Sequence, residues 1–89
     1  MYLHLGADIS VIADDIIGIF DYDLIHLPYF KELLELAEWN NSVVRMEGKT
    51  KSVVLTQDQL YLVPLSRATL ARRWEKFTKP FLRNLNSKH

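Results

Sequence analysis

The 89-residue chain has no cysteine, which excludes disulfides, thiol catalysis, cysteine-bound zinc and iron–sulfur clusters. Its three histidines, His4, His26 and His89, do not pair at metal-ligand spacings. Gly6, Gly18 and Gly48 form no phosphate-binding loop, and no serine stands in a nucleophile elbow. Asp14 and Asp15 are adjacent, so in an extended segment they point to opposite faces, and a polar turn is the preferred reading. No run of roughly 18 apolar residues exists to form a membrane span. The start, Met1 to Gly6, lacks the basic flank and long apolar stretch of a signal peptide. Net charge is also missing, with 11 basic and 11 acidic residues. These absences predict a cytoplasmic, non-catalytic protein with no cofactor, no metal and no small-molecule substrate. Such a protein acts through its surfaces.

What is present is ordinary in amount and uneven in placement. Apolar residues make up 48 % of the chain, enough for one modest core, and oligomerisation can supply burial that so short a chain lacks. The zero charge hides a separation. Residues 1–48 carry nine acids against two bases, whereas residues 67–89 carry seven bases against one acid. Opposite poles can attract in head-to-tail contacts between subunits, or the basic end can meet an external polyanion.

The pattern predicts an α+β fold with a small, mostly antiparallel sheet. Strands are expected near 2–5, 9–13, 16–20, 43–47, 51–56 and 60–63, from short β-branched runs bounded by turns. Gly18 marks a close approach or a bulge. Glu47-Gly48-Lys49-Thr50 is expected to be a hairpin turn between the fourth and fifth strands. A helix is predicted over 28–39, with Pro28 in its first turn and Phe30, Leu33, Leu34 and Ala37 on one face. Asn40-Asn41-Ser42 ends it.

A basic amphipathic helix is predicted from about 67, capped by Ser66. Leu70, Trp74, Phe77 and Phe81 form its apolar stripe, with Arg72, Lys76, Lys79 and Arg83 about half a turn away. Pro80 is expected to interrupt it or to start a new helix at its first turn, and residues 86–89 to fray. Residues 1–78 are read as one domain and residues 79–89 as a basic extension. A cationic helical stripe can lie against phosphates or against anionic lipid.

The order of these pieces resembles the bacterial extracellular-matrix regulatory family RemA/RemB, on the RemB side. The likeness rests on Met1-Tyr2-Leu3-His4-Leu5-Gly6, Ile16-Ile17-Gly18-Ile19-Phe20-Asp21, the segment 49–56 and the ending Tyr61 to Arg73. It covers roughly residues 1–73. The resemblance implies a small α+β subunit that assembles into a ring and binds duplex DNA through a basic surface, in regulation of biofilm-matrix genes. Asp15 stands where RemA-type sequences carry an arginine, and Lys49 and Lys51 occupy the region of their arginine pair. The expected cationic contacts are Lys49, Lys51, Arg67, Arg72, Arg73 and Lys76. The alternatives are an oligomeric protein-interaction module without DNA binding, and peripheral membrane association through the C-terminal helix, the less favoured of the two.

Overall fold

A computed structural model describes the backbone of residues 1–86 and the side chains of residues 1–76. Among the described residues, six strands and two helices follow in the order β1 (Tyr2–Gly6), β2 (Ile9–Ile12), β3 (Ile16–Asp21), α1 (Pro28–Trp39), β4 (Val43–Arg45), β5 (Ser52–Thr56), β6 (Leu60–Val63) and α2 (Arg67–Asn86). Short 3₁₀ turns at Ala13–Asp15 and Tyr22–His26 flank β3.

The strands make two sheets. β1 and β2 form an antiparallel hairpin, and the other four align in the order β3-β5-β6-β4. β5 and β6 are central and apolar on both faces, and the period-2 alternation of side chains assigns each face its own core. Val54 and Val63 lie with Leu3, Leu5, Val11, Ile16, Ile19 and Leu70. Val53, Leu60 and Leu62 lie with Phe20, Phe30, Leu33, Leu34 and Ala37. The molecule is therefore layered, with α1 on one face of the sheet and the β1–β2 hairpin plus α2 on the other.

The predicted hairpin around Gly48 does not form. β4 pairs in parallel with β6, with Val43 opposite Leu60, and is not a neighbour of β5 in the ladder. The reason lies in β5. Its two edges are taken by β3 and by β6, and the tight turn after Thr56 delivers β6 first. That turn is locked from both sides: the Thr56 hydroxyl donates to the Gln59 carbonyl at 3.0 Å and accepts the Gln59 N–H at 3.1 Å. β4 is left with the far edge, and residues 46–51 cross the sheet end as a loop. The polar turn at residues 13–15 is a 3₁₀ turn that does not pair β2 with β3, so β1 and β2 stack on the main sheet rather than extend it.

β3 contains the bulge that Gly18 suggested. Ile16 pairs with Thr56 and Gly18 with Leu55, leaving Ile17 extra and exposed. The extra residue resets the alternation, so Ile16 and Ile19 both enter the hairpin-side core. Gly18 then faces α1 beside Phe20, where a Cβ would sit 2.5 Å from the ring tip. The Phe20 ring meets Phe30 edge-on at 5.4 Å between centroids. Gly18→Ala is expected to swing that ring out and cost about 1–3 kcal/mol, the usual range for overpacking. Urea unfolding checks it, and an unchanged midpoint would mean that the bulge yields freely.

The helices start and stop as local chemistry dictates. Pro28 opens α1, and Asn41 at φ +57° closes it. The Ser42 N–H donates to the Ala37 carbonyl and the Asn41 N–H to the Glu38 carbonyl, a Schellman arrangement. At the start of α2, the Ser66 hydroxyl accepts the Thr69 N–H at 3.2 Å, as an N-cap should. Contrary to the expected interruption at Pro80, one helix runs to Asn86. The predicted placement of the Phe77 and Phe81 side chains and the fraying of residues 87–89 lie outside the described residues.

Candidate nucleic-acid interface

Three of the six expected cations converge. Lys49, Lys51 and Arg67 line one cleft of about 590 Å³ at the sheet end. Gly48, at φ +106°, bends the 46–51 loop in a way that suits glycine. The Lys51 backbone is then pinned. Its N–H donates to the Val63 carbonyl at 2.9 Å, and its carbonyl accepts the Tyr22 N–H at 3.1 Å. The loop therefore presents an exposed lysine from a fixed main chain. Arg67 is anchored across the cleft, its Nε donating to the Ile19 carbonyl at 3.2 Å. Buried Ser52 supports the same corner, its hydroxyl donating to the Leu65 carbonyl at 2.7 Å just before α2 begins.

The cleft is not purely cationic. Asp21 and Asp23 line it as well, with Tyr22 and His26. Asp21 accepts the Asp23 N–H at 3.2 Å and so caps the 3₁₀ turn that holds both acids there. Three full positive charges thus face two negative ones. The charge separation along the chain is partly undone here, because the end of β3 and the start of α2 meet in space. The sequence pattern did not single out Asp21, Asp23 and His26 as members of this cleft. An Asp directly before an Asp-containing turn was the local signal, but only the packing of β3 against α2 brings it near the lysines.

The other three cations lie elsewhere. Arg73 is a tether, its Nη1 donating to the His4 carbonyl of β1 at 3.0 Å. Arg72 and Lys76 are exposed on the outer side of α2. At about 100° per residue they stand roughly 140–180° around the helix from Arg67. The helix stripe and the cleft are consequently two surfaces, not one. Trp74 and Leu70 pack on the hairpin-side core, as the stripe predicted.

A second depression of about 290 Å³ lies beside Tyr2 and Tyr61 and holds Asp15 and Asp58. The Tyr61 hydroxyl donates to Gln59 Oε1 at 2.7 Å. Burial, then the nearby Asp58 charge, holds the Tyr61 phenol above its usual pKa. Two carboxylates give this depression its acidic character, so it is unsuited to phosphate. Among the described residues, no group of three or more His, Asp or Glu side chains is placed to hold a metal ion. No helix among them is long and apolar enough to cross a membrane.

Comparison with known proteins covers most of this architecture. The family model described as extracellular matrix regulatory protein A-like (RemA-like) matches residues 2–74. Extracellular matrix regulatory protein B of Bacillus subtilis (strain 168) is 40 % identical over 73 residues, spanning 82 % of this chain and 89 % of that protein. The family match takes in all six strands, α1 and the first turns of α2, and leaves the rest of α2 outside.

Proposed function

The chain belongs to the RemA-like family of extracellular matrix regulatory proteins, and from that premise we propose that it is a non-catalytic bacterial regulator that assembles into a ring and binds duplex DNA. The observation that carries the DNA reading is the cleft where Lys49, Lys51 and Arg67 stand together at a sheet end. A flexible lysine pair opposite an anchored arginine suits a phosphate backbone. Arg67 is the one planar fork among the three cations and its Nε is already committed to the Ile19 carbonyl, so affinity rests on backbone charge and on repetition around the ring. Asp21 and Asp23 weaken each single contact, which makes assembly necessary for binding.

Duplex DNA should be retarded in a gel by the purified protein at low salt, with log affinity falling linearly with log salt concentration. No retardation at the lowest salt would remove the DNA part of the proposal.

A second reading has an observation of its own. Tyr29, Leu36 and Trp39 leave a large apolar strip exposed on α1, and such strips mark protein contacts. A ring that binds a protein and not DNA would show oligomer mass without retardation.

A further inference from the structure

We propose that the outer face of α1 is a subunit interface that seats the basic face of α2 from a second copy of this chain. The inference deepens the oligomeric reading under Proposed function and rests on it.

The first observation is the width of α1's apolar surface. Phe30, Leu33, Leu34 and Ala37 already fill the core-facing side. Tyr29, Leu36 and Trp39 form a second strip, exposed by 88 %, 59 % and 85 %. With about 100° per residue, these three and Glu32 fall within an arc of roughly 80°, and Glu35 borders it. A helix that only had to cover its own sheet would need no second strip.

The second observation is charge left without a partner. Among the described residues the one ion pair is Arg45–Glu38, between β4 and α1. Glu32 and Glu35 on α1 pair with no cation there, and Arg72 and Lys76 on α2 pair with no carboxylate. The two helices lie on opposite faces of the sheet, so the sheet stands between the acidic strip and the basic helix of one molecule. They can meet only between molecules.

The third observation is in the sequence. Beyond residue 74, where the family match ends, α2 continues to Asn86, about 18 Å of further helix. That stretch carries Phe77, Phe81 and Leu85 at i, i+4 and i+8, together with Lys76, Lys79 and Arg83. By helical spacing the cations stand about half a turn from that apolar row, so the basic face is free of the stripe that Leu70 and Trp74 turn to their own core, and its charge is the complement of the glutamates beside the α1 strip. The two exposed aromatics and the leucine of α1 supply on the order of 400 Å², about half of the roughly 800 Å² per partner that a stable interface buries. A helix laid along the strip would add the remainder. Because α1 and α2 are different surfaces, the contact is heterologous, and repeated contacts of that kind close into rings when the rotation permits.

The test is solution mass by light scattering on the full chain at low salt. Glu32→Lys with Glu35→Lys is expected to reduce the oligomer to monomer, and adding Arg72→Glu with Lys76→Glu in the same chain to restore it. Trp39→Ala is expected to raise the dissociation constant at least tenfold. All five positions are solvent-facing, and a circular dichroism spectrum like the parent's establishes that each variant is folded. Full oligomer mass in the Glu32→Lys/Glu35→Lys protein would overturn this interface, leave the ring reading standing and assign the strip to a different protein. A parent chain that is monomeric at every concentration would overturn both.

Discussion

Leu70→Ala is expected to lower the unfolding free energy by about 2–5 kcal/mol, the range for deleting a fully enclosed leucine. Leu70 is 0 % exposed and packs in the core that joins the hairpin, the sheet and α2. The loss has three parts: less apolar burial, a cavity, and weaker attachment of the helix that carries Arg67. A domain of this length has about 4–13 kcal/mol in all, taking about 0.05–0.15 kcal/mol per residue. The variant therefore sits near its folding threshold, and its melting temperature is expected to fall by on the order of 10 °C or more. Trp39→Ala offers a contrast within the same molecule. Trp39 is larger still and lies on the outside of α1, so its removal is expected to leave the stability of the monomer, measured by urea unfolding, within about 0.5 kcal/mol of the parent. If Leu70→Ala unfolded at the parental midpoint, the layered core would be wrong.

Lys49→Ala combined with Lys51→Ala is expected to flatten the salt dependence of DNA binding. Each phosphate contact contributes about −0.9 to the slope of log affinity against log salt, so removing two contacts shifts it by about 2 for every subunit engaged. Multiplied around a ring, that change is larger than any single substitution in a monomer would give. Both lysines are exposed, and the hydrogen bonds at Lys51 come from its main chain, so the double variant keeps the fold. Arg67 is a poorer probe, because its side chain also holds the Ile19 carbonyl. Arg72→Ala with Lys76→Ala tests the other cationic surface. If α2 seats on a neighbouring α1, that pair disturbs assembly first and the DNA slope only through assembly. A slope unchanged by the lysine pair, but flattened by the helix pair in a still-assembled protein, would transfer the DNA contact from the cleft to α2.

The two substitution sets are informative because the six cations separate in space. Along the chain, Arg67, Arg72, Arg73 and Lys76 read as one basic block. On the folded molecule, Arg67 turns to the cleft, Arg73 ties to β1 and the other two face solvent. A block of like charge within one helix spreads around its circumference, and only the direction of the core decides which member points where. Asp21 and Asp23 illustrate the reverse case. They are far from the lysines in sequence and adjacent to them in the cleft.

Local chemistry alone settled where most elements begin and end. Pro28, the Asn40-Asn41 pair and the Ser66 cap mark helix boundaries because each acts on backbone groups within a few residues. Gly18 announced its bulge for the same reason. The α+β class was also readable, since it depends on residue types and short periods. Sheet order was not. Whether β4 neighbours β5 or β6 depends on which strand first occupies an edge, a competition among distant segments that no local pattern records. The second apolar strip of α1 escaped notice for a related reason: Leu36 and Trp39 read as helix residues of no fixed direction until the sheet fixed which side was inside. What the chain dictated by itself was its elements. What tertiary packing decided was which charges share a surface, because neighbours in space are chosen by the core and not by the order of residues.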